Sequence, residues 1–82
     1  MELKDTIEMM NSEDYKERFK AEYYQLKIRL EKLEAMLEKW DKGELNFTPT
    51  CERVVYGDQV YFMRQYLAIL DGRAKTEGVI LE

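Results

Sequence analysis

Apolar side chains recur at Tyr15, Phe19, Tyr23, Leu26, Leu30, Leu33, Leu37 and Trp40, in steps of three and four. That is the period of one helical stripe, and from Phe19 onward it approaches a heptad seam. Residues 13–42 contain neither glycine nor proline, so nothing in the pattern interrupts the helix. At 1.5 Å per residue such a helix is roughly 45 Å long. Asn11 and Ser12 read as its N-cap, with Glu13 and Asp14 suited to the positive end of the helix dipole. It is expected to stop at Asp41-Lys42-Gly43, with Gly43 as a left-handed cap.

A second helix is expected after a connection over residues 44–50. Thr48 or Thr50 offers the cap, and Pro49 is tolerated in a first turn. Leu45 and Phe47 of the connection are expected to tuck beneath the turn near Trp40. The helix runs to about Lys75 or Glu77, Gly78 caps it, and Val79-Ile80-Leu81 forms an apolar tail. Gly57 either lies within this helix or marks a later start. Two adjacent stripes follow the helical period. One is Tyr56, Val60, Met63, Leu67, Leu70 and Ala74; the other is Val55, Gln59, Phe62, Tyr66, Ile69 and Arg73. Together they form a face wider than one partner helix covers. The long helix has a surplus of its own in Ala21, Tyr24, Ile28 and Ala35. A short connection makes the two helices antiparallel neighbours. The expected architecture is all-α: a long antiparallel two-helix hairpin over residues 13–82, with a short N-terminal arm over residues 1–12. Its leftover apolar faces predict a homo-oligomer, with Ala21, Tyr24, Ile28, Phe62, Tyr66 and Ile69 at the subunit interface.

Composition narrows the chemistry. A chain of 82 residues makes one domain with a modest core. Cys51 is the lone cysteine and there is no histidine. An internal disulfide and a Cys–His nucleophile are therefore excluded, and no metal site or cofactor is expected. The net charge of −4 opposes a nucleic-acid backbone as partner. Residues 13–42 carry eight acidic and eight basic side chains, the balance of a solvated helix face. No apolar run is long enough for a membrane span, and residues 1–12 lack the core of a signal peptide, so the expected location is the cytoplasm. No catalytic constellation is visible, and the chain is read as a non-enzyme.

Among candidate binding residues, Tyr15 stands at a helix start, where a ring can stack on a base and an N-terminus attracts phosphate; Glu13 and Asp14 oppose an anion there. Arg73 interrupts a largely apolar stripe. It either lays its stem on the core and pairs with an acid, or holds an anion with its planar fork. Arg64 reads as surface. Lys27 and Arg29 flank Ile28 and are expected to pair with Glu31 and Glu34.

Three segments carry a resemblance: Asp14-Tyr15-Lys16-Glu17-Arg18-Phe19 running into Glu22-Tyr23-Tyr24-Gln25-Leu26-Lys27; the connection Leu45-Asn46-Phe47-Thr48-Pro49-Thr50-Cys51; and the end Leu70-Asp71-Gly72-Arg73-Ala74-Lys75-Thr76-Glu77-Gly78-Val79. Together they resemble a family of small phage and prophage proteins related to a crAss-like phage protein of unassigned role. The arrangement is also similar to the helical hairpin of the anti-CBASS and anti-Thoeris phage sponges, oligomers that sequester cyclic nucleotide or ADP-ribose signals between subunits. In the anti-CBASS sponges a tyrosine near the start of the first helix stacks on the base. A lysine further along meets phosphate, and an arginine near the end of the second helix serves another ligand site. Tyr15 and Arg73 fall at comparable places, and Lys27 is the nearest lysine. Glu13-Asp14 stands where the sponges have small residues. The resemblance implies a phage counter-defence protein in the infected cell that holds a cyclic nucleotide immune signal through Tyr15, Lys27 and Arg73 without cleaving it. Two other readings remain at this point: an inhibitor that binds a host defence protein directly, as an anti-CRISPR does, and a small virion assembly factor.

Overall fold

The computed structural model describes residues 1–81, and among them every regular element is helical. A 3₁₀ turn, Leu3–Thr6, leads into a single α-helical turn, α1 (Ile7–Met10). Two long helices follow, α2 (Tyr15–Asp41) and α3 (Arg53–Glu77).

The cap of α2 lies two residues later than expected. Asp14 Oδ1 accepts from the Lys16 N–H at 2.9 Å, while the Ser12 hydroxyl accepts from the Asp14 N–H at 3.1 Å. Ser12 is thus spent on shaping the entry, and the carboxylate holds the helix dipole. Tyr15, assigned by its spacing to the main seam, is the first helical residue and remains exposed. At the other end Lys42 is the C-cap and Gly43 has φ 72°.

The start of α3 corrects the expectation at Thr48 or Thr50. Residues 48–52 stay non-helical and Glu52, in extended conformation, is the N-cap, so the helix starts at Arg53 and Gly57 lies within it. Arg53 is fixed there by a two-pronged bond to Asp41, Nε to Oδ1 at 3.0 Å and Nη2 to Oδ2 at 3.1 Å. This fastens the first residue of α3 to the last of α2. The helix ends as expected, with Gly78 at φ 71° and the Val79 N–H returning to the Ala74 carbonyl at 2.8 Å. That turn folds Val79 into the core, whereas Ile80 points to solvent.

Contacts between α2 and α3 run in opposing order. Lys16 Nζ donates to the Gly78 carbonyl, Arg64 donates to Glu34, and Arg53 meets Asp41. Two apolar clusters lie between the helices. One joins Phe19, Tyr23, Leu26, Leu70, Ala74 and Val79; the other joins Leu30, Leu37 and Val60, with Trp40 edge-on to Tyr56. Met63 and Leu67 pack against both. The inner stripe of α3 is therefore the one led by Val60, Leu70 and Ala74. The outer stripe of Val55, Phe62, Tyr66 and Ile69 stays in water.

The arm docks on α2. Thr6 is 1% exposed; its hydroxyl donates to the Leu3 carbonyl at 2.7 Å and accepts from Gln25 Nε2 at 2.8 Å. Ala21, four residues before Gln25 on the same side of α2, is 1% exposed. The expectation that Ala21 faces a second subunit is corrected accordingly: this surface is already covered within the chain. Tyr24 and Ile28 are half-buried. Phe47, expected beneath the turn, is exposed, and only Leu45 of the pair is half-buried. No helix among the described residues is long and apolar enough to cross a membrane.

Candidate functional site

The opposing order of α2 and α3 brings Tyr15, the first residue of α2, and Arg73, four residues before the end of α3, to the same end of the molecule, where Lys16 Nζ donates to the Gly78 carbonyl. The Arg73 guanidinium carbon lies 4.9 Å from the centre of the Phe19 ring, a cation–π contact. Its Nε donates to Glu77 Oε2 at 2.7 Å and its Nη2 to Oε1 at 3.3 Å. The bond to Glu77 raises the Arg73 pKa above its ordinary value, and the same bond holds the Glu77 carboxyl below the usual range. Of the two alternatives drawn for Arg73, the geometry shows the pairing with an acid: the guanidinium lies over Phe19 and its fork is on the Glu77 carboxylate. Across the same end, the Tyr66 hydroxyl donates to Glu22, tying α3 to α2.

Lys27 is not part of this cluster. It lies twelve residues beyond Tyr15 on α2, roughly 18 Å along the axis, where it lines a shallow dent with Met1, Tyr24, Ile28 and Glu31. The ion pair expected between this segment and Glu34 is replaced: Glu34 binds Arg64 across the helices instead.

Two grooves lie toward the opposite end. The first, of about 480 Å³, is floored by Leu37 and Val60 and flanked by Arg53 and Arg64. Both arginines are neutralised, by Asp41 and Glu34. The second, of about 370 Å³, lies between the C-terminal half of α2 and the connection, and includes Lys32, Lys39, Asn46 and Phe47. Sequence reasoning missed it. Lys32 and Lys39 look like solvated helix charges, and Phe47 looks like core until the chain's path turns it outward. The usable signal was their spacing of seven, which sets both lysines on one face with Ala35 between them.

Among the described residues no group of three or more His, Cys, Asp or Glu is placed to hold a metal, and Cys51 is exposed. No curated protein and no solved structure matches the chain. A family model described as Sequestin, a name that points to a sequestering role, matches residues 13–76, which take in α2, the connection and nearly all of α3. On that match, the chain belongs to the Sequestin family.

Proposed function

We propose that the chain works by stoichiometric sequestration, holding a cyclic nucleotide immune signal intact so that it cannot reach its effector, as a phage counter-defence protein in the infected cell. The observation that carries this reading is the placement of Tyr15 and Arg73 at one end of a chain whose family name denotes sequestering. Tyr15 stacks on a base, an interaction worth about 1–3 kcal/mol. Arg73 exchanges Glu77 for a phosphate, keeping its bidentate geometry. No covalent step is required; affinity alone removes the signal.

The ligand lies between subunits in this account. A ligand that meets Tyr15, Arg73 and a lysine in the place of Lys27 cannot do so within one chain, because of the 18 Å offset estimated from the helical rise (roughly). A neighbouring subunit supplies the lysine. The outward stripe of α3, with Phe62, Tyr66 and Ile69 exposed, is the surface left for that neighbour. Isothermal titration against a panel of cyclic di- and trinucleotides tests the reading. Saturable heat with one of them, weakened about tenfold by Tyr15→Ala, is expected. Absence of heat with the whole panel removes it.

The same outward face favours a second reading, direct binding of a host defence protein. Tyr61 and Phe62 meet edge-to-face at 5.2 Å on it, and both rings are exposed. Aromatic side chains in this setting suit a protein interface. A stable host partner recovered with the wild-type chain and lost with Phe62→Ala favours this reading over the first.

A further inference from the structure

We infer that the groove between the C-terminal half of α2 and the connection is a nucleotide site, with Lys32 and Lys39 holding phosphate and Phe47 stacking on the base. It rests on the reading that the chain retains nucleotides, and it adds a site at the end of α2 remote from Tyr15. Lys32 and Lys39 are two turns apart on one face, about 10 Å along the axis. Both lysines and the short Ala35 between them line one concavity. Neither lysine is in an ion pair among the described residues, whereas Arg53 and Arg64 in the adjacent groove are each held by a carboxylate. Two cations outside any ion pair, against the single carboxylate of Glu44, leave this groove net positive on a chain of net charge −4 and make it a local attractor for anions.

The remaining wall is what distinguishes a nucleotide from a bare anion. Phe47 is 54% exposed and shares the groove. A bared aromatic ring beside cations is the pairing that stacks a base while neutralising its phosphate. Asn46 adds an amide that both donates and accepts, suited to a base edge. Glu44 places one carboxylate in the wall, which accepts from a sugar hydroxyl and disfavours a densely charged ligand. The wall is anchored before any ligand arrives: the Glu44 N–H donates to the Lys39 carbonyl at 2.8 Å, and the Gly43 N–H to that of Trp40 at 2.9 Å. A nucleic-acid strand is not the fit, because it needs a continuing basic track and this groove has two cations only.

The test is titration of the whole chain with ADP, followed by backbone amide chemical shifts, with adenosine and inorganic phosphate in parallel. Saturable shifts at Lys32, Lys39, Asn46 and Phe47 are expected with ADP, with either fragment about tenfold weaker or more. Lys32→Glu with Lys39→Glu, and separately Phe47→Ala, are expected to weaken ADP about tenfold. All three positions are exposed, so the fold survives the changes. Equal binding of inorganic phosphate, or undiminished ADP binding by the charge-reversed chain, overturns the site. Shifts confined to Tyr15 and Arg73 overturn it too, but leave sequestration standing. No shifts with ADP or with any cyclic nucleotide overturn both.

Discussion

Leu70 and Ile69 are neighbours in sequence and opposites in the fold, which makes them a sensitive test of how α3 is rotated. Leu70 is 1% exposed among Phe19, Tyr23, Leu26 and Ala74; Ile69 is 62% exposed on the outward stripe. Leu70→Ala removes buried carbon and leaves a cavity, at a cost of about 2–5 kcal/mol, near 3 for a site this enclosed. At about 0.05–0.15 kcal/mol per residue, a chain of this size has roughly 4–12 kcal/mol in total, so the loss is a large share. With about 4–8 °C per kcal/mol for a domain of this length, Tm falls by roughly 12–24 °C. Ile69→Ala forfeits about a third of a side-chain burial worth about 1.5–3 kcal/mol, hence under about 1 kcal/mol in an isolated chain. Thermal melts followed by circular dichroism at low micromolar concentration measure both. If subunits share the outward stripe, the Ile69→Ala penalty grows with protein concentration while that of Leu70→Ala does not. A Leu70→Ala loss below about 1 kcal/mol, or equal losses at high dilution, refutes the assignment of the inner face.

Thr6→Val leaves the Gln25 amide and the Leu3 carbonyl without the hydroxyl between them, and is expected to cost about 1–3 kcal/mol, read by urea unfolding. In acid, Asp41 and Glu77 are held below their ordinary values of 3.8 and 4.5 by their arginine partners. Depressed carboxyls contribute stability above those values and lose it as pH falls through the folded ones. Tm therefore drops below about pH 4.5, and the drop is smaller in Asp41→Asn with Glu77→Gln. In alkali the sign reverses for Tyr23, whose pKa is raised by burial and then by Asp71. Its contribution is complete below 10.0 and declines as pH rises toward the folded value, a decline that Tyr23→Phe removes.

The helical seam, the inner stripe of α3 and the left-handed glycines at both C-termini were legible, because each rests on local period or backbone freedom. Three features were not. The start of α3 is set by Arg53 on Asp41, a long-range bond that overrides the caps offered at Thr48 and Thr50. The arm docks on α2 through a polar pair, Thr6 and Gln25, which no apolar pattern announces. The outward Phe47 follows from the path of the connection, since hydrophobicity alone does not say which side of a turn a ring takes. Of the candidate site, the placement of Tyr15 and Arg73 at one end follows from opposing helices. The separation of Lys27 from them was equally readable from the helical rise. The ring contact of Arg73 with Phe19 and the bared lysines beside Phe47 needed three dimensions.

The central claim, that the chain retains a cyclic nucleotide without consuming it, is tested most directly by equilibrium dialysis against cyclic dinucleotides and trinucleotides, then heat release and mass spectrometry of the ligand. The account predicts that one of them is retained at a fixed ratio to subunits and recovered with its ring intact. Failure to retain any of them, or recovery of a linear product, contradicts it.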